Sequence, residues 1–228
     1  MSTAAQSMPD KNTDTRERLL LTALHLYAVE GLHAVSLRRI SSEAGSKNSA
    51  AMHYHFENKM GVIKALMKLV TGELVRIDAS LRAQRNLPGA IKTDAQRSLR
   101  EATRDTIQPL IQLPTEQVWG MDAVHFLSRL VSENDKDIAD MVNTLSAPFW
   151  QRIDKALATQ LTELPKPLRR LRVMFMTTNV LHGVAEVDWL RHTPLGDISH
   201  FDDDTLLDHL VDYLIGGLQA PSPVVANP

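Results

Sequence analysis

Between Ser46 and Lys59 the chain reads Ser-Lys-Asn-Ser-Ala-Ala-Met-His-Tyr-His-Phe-Glu-Asn-Lys. The run combines small residues, ring donors and acceptors, and cations. Ser49, Ala50 and Ala51 are small enough for their backbone to approach a groove floor closely. His53, Tyr54 and His55 carry ring groups that donate or accept hydrogen bonds, Phe56 supplies an apolar anchor, and Lys59 adds a cation. Just upstream, Arg38 and Arg39 stand on a short amphipathic segment, Ser36 to Ala44, that ends at Gly45. Helix, glycine-initiated turn and short second helix is the layout of a helix-turn-helix, whose second helix enters the DNA major groove. An arginine fork pairs bidentately with guanine O6 and N7 or clamps a phosphate. Lys47, Asn48 and Lys59 suit phosphate contacts, which set register without reading sequence.

These residues also carry a family likeness. Leu37-Arg38-Arg39-Ile40, Ala44-Gly45, Tyr54-His55-Phe56, then Asn58-Lys59 with Val62-Ile63, resemble the DNA-binding signature of the TetR family of bacterial transcriptional regulators. The resemblance covers roughly residues 14 to 65, and several spaced elements agree in order. One departure stands out: the run from Gly45 to Phe56 is one residue longer than the family norm, which implies a turn enlarged near Lys47 and Asn48. By this resemblance Arg38 reaches a base edge or a phosphate. Ser49, Ala50 and His53 face the groove, with Ala50 placed for a thymine methyl, while Tyr54 and His55 lie against phosphates. Ser36, the N-cap of the arginine-bearing helix, and Arg39 complete the expected DNA-contacting set.

The elements that must position these groups follow from periodicity. Asp14 with Glu17 resembles a capping box, and Leu19, Leu20, Ala23, Leu24, Tyr27 and Ala28 recur at helical spacing until Gly31. Asn58 caps a longer helix, about Lys59 to Gln84, with Val62, Ile63, Leu66, Leu69, Val70 and Leu74 as its stripe. Asn86-Leu87-Pro88-Gly89 breaks it. A polar helix is expected from Thr93 to Gln108, punctuated by Pro109 and Pro114, then helices from Thr115 to Glu133 and from Asp135 to Leu164 with a kink near Pro148. A long helix then runs to Leu190 and a last one from Asp204 to Leu218. The expected fold is all-α: a three-helix head over residues 13–58 and a larger helical bundle over 59–219, flanked by tails at 1–12 and 220–228.

In the bundle, Trp119, Met121, His125, Phe126 and Met141 are candidates to line an apolar ligand pocket beside the linker helix. Phe149, Trp150, Met174, Met176 and Asn179 are candidates for its other walls. Methionines adapt to irregular shapes, and a small-molecule site is mostly apolar with a few orienting polar groups. Any one of these residues, taken alone, is more often plain core than lining. The broad apolar faces of the last two long helices are the monomer's core on one reading. On the family's reading they form a four-helix dimer interface, carried by Leu181, Val184, Leu207, Leu210, Val211 and Leu214.

The bulk composition narrows the function classes. The chain has 228 residues, no cysteine and a formal charge of −2, which excludes thiolate catalysis and disulfide frameworks. The charge is uneven: from Ser36 to Lys59 four cations face two carboxylates. No stretch reaches the roughly 18 apolar residues of a membrane span, and Met1 to Asn12 lacks the apolar run of a signal peptide, so a cytoplasmic protein is expected. His53 and His55, two apart, do not share a helix face, and His182 with Glu186 gives only two ligands, so neither pair reads as a metal site. No phosphate loop, dinucleotide fingerprint or nucleophile elbow occurs, and neither an enzyme nor a cofactor is indicated. Taken with the resemblance, the sequence implies a homodimeric transcriptional repressor, released from a palindromic operator in double-stranded DNA by a small apolar molecule. The rival reading is a helical carrier whose head does not read DNA specifically.

Overall fold

A computed structural model describes residues 15–46, 50–85, 97–190, 192–194 and 201–221, and among them every regular element is helical. Ten helices follow in order. The head comprises α1 (Thr15–Glu30), α2 (Leu37–Glu43) and α3 (Ala51–Phe56). The linker is α4 (Lys59–Arg85), and the lobe is built from α5 (Leu99–Glu116), α6 (Gly120–Val131), α7 (Lys136–Ala158), α8 (Lys166–Ala185), α9 (Val187–Leu190) and α10 (Asp203–Gln219). Asp14, the expected start of α1, lies outside the described residues, as do Asn86 to Gly89 and Thr93.

Two cores organise these helices. The first runs without interruption from Leu19, Leu24 and Tyr27 of α1, through Ile40, Met52 and Phe56, into Ile63, Leu66 and Val70 of α4 and Val124 and Phe126 of α6. The expected head boundary at residue 58 therefore crosses continuous packing. The second core joins α5, α7, α8 and α10 through Ile107, Ile153, Leu157, Val173, Met176, Val180, Val211 and Leu214. Arg172, buried on α8, donates from Nη1 to the Leu218 carbonyl at 2.8 Å, satisfying an acceptor that the end of α10 leaves without a helical donor. Arg100 and Arg104 of α5 pair with Asp208 of α10, and Arg100 also with Asp212.

The expected break in α5 does not occur. Pro109 and Pro114 both lie inside a continuous helix. Each removes one backbone bond and crowds the preceding turn. The helix persists because Leu99, Ala102, Ile107 and Leu113 fall on one buried face. A capping box, Ser98 with Glu101, also fixes its start. α7 likewise runs through Pro148 as one element, and ends at Ala158 rather than Leu164. The long helix expected to reach Leu190 ends at Ala185, and Glu186 separates it from the single turn of α9. Gly120 starts α6 beneath α5; a Cβ there would collide with the Leu113 carbonyl, so this elbow accepts glycine alone.

Candidate nucleic-acid interface and inner cavity

The head is closed by local hydrogen bonds. Ser36 Oγ accepts from the Arg39 N–H at 3.2 Å, capping α2. At its other end Gly45 adopts φ 66°, and the Gly45 and Ser46 N–H groups return to the carbonyls of Ser42 and Ser41 at 3.0 and 2.9 Å. That pairing is a Schellman cap, which favours glycine at its left-handed position. Lys47, Asn48 and Ser49, the expected enlarged turn and part of the expected readout, lie outside the described residues.

α3 buries Met52 and Phe56 and turns Ala50, His53 and Tyr54 outward, with Tyr54 85% exposed. Nothing in the head's packing requires an exposed tyrosine. Its ring meets the half-buried His55 edge-on at 4.9 Å. His53 Nδ1 lies 2.8 Å from the Glu57 carbonyl. A carbonyl only accepts, so the proton sits on Nδ1, and in the neutral ring Nε2 is left as an acceptor. In a major groove such an acceptor matches the amino groups of adenine or cytosine.

The two arginines differ. Arg38 is exposed with no carboxylate partner among the described residues. Arg39 is engaged by Glu30, Nη2 to Oε1 at 2.8 Å. Lys59 departs from the expected outward phosphate contact: it is half-buried, with Nζ 5.9 Å from the centre of the Tyr27 ring. The acidic balance of the whole chain thus hides a head whose free cation on α2 is Arg38.

The junction from α3 to α4 is tight. Glu57 holds φ 64° and ψ −59°, and the Asn58 N–H returns to the Phe56 carbonyl at 2.7 Å. This is a γ-turn, and a non-glycine residue there stores about 1–3 kcal/mol of strain. Asn58 Oδ1 then accepts from the Gly61 N–H at 2.9 Å. A side chain at Gly61 would collide with the Phe56 carbonyl, so the first turn of α4 sits directly on the end of α3.

α6 joins head to lobe. Tyr27 and Phe126 stack at 6.4 Å. Arg129 donates to the carbonyls of Ala28 and Val29 at 2.8 and 3.0 Å, and His25 and His33 meet Asp122 and Glu133 at 3.0 Å each. The hydrogen bond from His33 holds the Glu133 carboxyl below its ordinary range. Burial pushes the Tyr27 phenol above its ordinary range.

The lobe departs from the sequence expectation in two ways. None of the ten expected pocket residues lines its open cavity. Phe126 and Met176 are packed into the cores, and Trp119, Met121, Met141, Phe149 and Trp150 are partly buried against them. Met174 and Asn179 face outward, and His125 is satisfied by the Ala185 carbonyl at 2.9 Å. Large apolar side chains fill space against one another, so they close cavities rather than line them. Among the described residues a space of about 200 Å³ lies open between α4, α5 and α7, bordered by Asp78, Arg82, Arg97, Asp105, Arg152 and Lys155 over a floor that includes Ala102 and Ile153.

The expected interface residues are also displaced. Leu181, Leu207, Val211 and Leu214 are buried in the chain's own core, and Val184 and Leu210 pack partly against it. The outward apolar groups are others: Leu171, Met174 and Phe175 on α8, with Phe175 58% exposed, and Tyr213 on α10, 66% exposed. The charged cavity groups, and the outward apolar groups other than Met174, were missed in the sequence. Their signals were Asp78 within the stripe Leu74, Ile77 and Leu81 of α4, and apolar residues on two faces of α8.

Among the described residues no group of three or more potential metal ligands gathers, and no helix is long and apolar enough to cross a membrane. Residues 19–66 match the family described as bacterial regulatory proteins, tetR family, and residues 104–217 match the tetracyclin repressor-like C-terminal domain. No curated protein matches the chain. Among solved structures, the fatty acid degradation regulator FadR from Bacillus halodurans is similar at 16% identity and TM-score 0.62, covering 92% of this chain and 99% of that one. FadR from Bacillus subtilis in complex with stearoyl-CoA is similar at 13% identity and TM-score 0.62, covering 88% and 98%. A regulator from Saccharomonospora viridis in complex with choline is similar at 22% identity and TM-score 0.59, covering 90% and 95%. At these identities the likeness concerns the fold.

Proposed function

The chain belongs to the TetR family of bacterial transcriptional regulators, and from that membership we propose that it is a homodimeric, ligand-responsive repressor acting on a palindromic operator. It is a DNA-binding regulator rather than an enzyme, and its place of action is the bacterial cytoplasm. What supports the reading most is the outer face of the head. Arg38, His53 and the 85%-exposed Tyr54 project from a helix-turn-helix whose inner face is fully packed. Arg38 clamps a phosphate or a guanine, His53 reads an amino group through Nε2, and Tyr54 bonds a phosphate oxygen.

One short recognition helix makes few contacts, and two-fold pairing doubles them. The outward groups Leu171, Met174, Phe175 and Tyr213 on the packed pair α8 and α10 are the surface through which a second copy docks. Paired heads then meet successive major grooves, about 34–36 Å apart. A small molecule entering the lobe releases the operator by favouring a different setting of α4, and can do so only through unequal affinity for the two settings.

Fluorescence anisotropy on the DNA flanking the protein's own gene tests this, with excess competitor DNA and a salt series. Saturable nanomolar binding that survives competitor is the expected result. Binding that disappears with competitor would leave only the generic phosphate attraction and favour a carrier over a regulator.

A further inference from the structure

The cavity between α4, α5 and α7 is built unlike a site for an apolar molecule. Its border carries four cations, Arg82, Arg97, Arg152 and Lys155, and two carboxylates, Asp78 and Asp105. Both carboxylates are already engaged by arginines, and Asp78 by two. Asp78, only 8% exposed, takes Arg82 Nε at 2.9 Å and Arg152 Nη1 at 2.7 Å on the same oxygen, Oδ2. Asp105 Oδ2 takes Arg97 Nη1 at 2.8 Å. Each of these pairings engages one N–H of a guanidinium that has five, and Lys155 has no carboxylate partner among the described residues. The cavity's volume of about 200 Å³ falls below the roughly 300–1,000 Å³ of sites for drug-sized ligands.

Resting on the regulator reading above, we propose that this cavity is the effector site and that its ligand is a compact anion, a small carboxylate or phosphate. The anion seats its oxygens among Arg82, Arg97 and Arg152, with Lys155 at the rim and Ala102 and Ile153 beneath. An arginine fork matches either oxyanion bidentately. Asp78 and Arg82 belong to α4, whereas Arg152 belongs to α7. An incoming anion competes with Asp78 for Arg152, so occupancy loosens the tie between linker and lobe at the cavity while the head end of α4 stays clamped on Phe56. Displacement of one carboxylate by another is thereby converted into a new setting of α4.

The test is isothermal calorimetry of the full-length protein without DNA, titrating inorganic phosphate and, separately, succinate, with sodium chloride at matched ionic strength as control. Saturable heat with phosphate alone identifies a phosphate ligand, and with succinate alone a carboxylate; either supports the site. Lys155→Met, which disturbs no ion pair among the described residues, should weaken binding about fivefold, and Arg97→Gln should weaken it on the order of tenfold or more. No heat beyond the chloride control from either anion, or heat unchanged in both variants, overturns the site. The same anion should weaken operator binding by about tenfold. Saturable anion binding with unchanged operator affinity overturns the effector role. Absence of operator binding before any anion is added is a different failure, that of the regulator reading itself.

Discussion

At its N-terminal end α4 is held by steric fit, with Gly61 under the Phe56 carbonyl and Val62, Ile63, Leu66 and Met67 fully packed. Near its C-terminal end, about 25 Å along the axis, the same helix is held by charge, with Asp78 shared between Arg82 and Arg152. Steric fit admits no alternative partner, because nothing else fits beneath Phe56. Charge does, because any oxyanion offers an arginine what Asp78 offers. On the proposed function, a helix clamped at one end and exchangeably tied at the other would carry a change in the lobe to α3. Exact placement belongs where DNA is read, and replaceable contacts belong where a signal is received.

The largest way to break this arrangement is to separate the heads. Phe175→Glu places a charge on the outward face of α8 without touching either end of α4. It should yield monomers in sedimentation velocity and reduce operator affinity about 10²–10⁴-fold, the scale on which linkage of two sites acts. A dimer that survives would move the pairing surface elsewhere. Next come the two ends themselves. Gly61→Ala forces a methyl against a backbone carbonyl and should cost about 1–3 kcal/mol in thermal unfolding, with specific DNA binding lost. Arg152→Ala removes the partly exposed ion pair that ties α7 to Asp78 and should cost under about 1 kcal/mol, leaving DNA binding in place. Equal costs at the two positions would erase the contrast. A contrast of similar size separates the head's arginines: Arg38→Ala should weaken operator binding by about 1–3 kcal/mol. Arg39→Ala, whose side chain is occupied by Glu30, should cost less than about 1 kcal/mol. Anisotropy titrations of both variants rank them.

The head was legible because its signals are local. Ser36, Gly45, Phe56 and Asn58 each fix a cap, a turn or an anchor within a few residues of the groups they position. The outward setting of Arg38, His53 and Tyr54 follows from those anchors. The engagement of Arg39 with Glu30 and the inward turn of Lys59 onto Tyr27 were not legible, since both partners come from α1. The all-α class and the course of α4 followed from periodicity, but α5 did not. Its prolines argued for a break that one-sided burial of Leu99, Ala102, Ile107 and Leu113 outweighs. On α8 the apolar residues occupy two faces. Periodicity cannot say which faces inward, so Leu181 was assigned to the surface that Phe175 occupies. The cavity was least legible. Its charges come from positions 78, 97, 105 and 152 on separate elements, and the methionines and aromatics that suggested a pocket, Met174 apart, pack into or against the cores.

The last expected effect has the opposite sign. Tyr27 sits at the clamped end of α4, with Lys59 over its ring and Phe126 stacked beside it. Its hydroxyl is buried with no hydrogen-bond partner among the described residues, and an unpaired buried hydroxyl is destabilising. Tyr27→Phe keeps the ring, the stack and the cation above it, and removes the hydroxyl. It should therefore raise stability by about 1 kcal/mol and leave operator affinity unchanged. Because burial pushes the phenol above its ordinary range, the folded state excludes the ionised form. Wild-type stability is then full below the unfolded value near pH 10 and falls as pH rises above it, whereas the variant should lose less on that alkaline limb. Thermal unfolding across neutral and alkaline pH measures both. A variant that melts lower than wild type at neutral pH would show that the hydroxyl is bonded in solution, and that this end of α4 is held by polar contact as well as by fit.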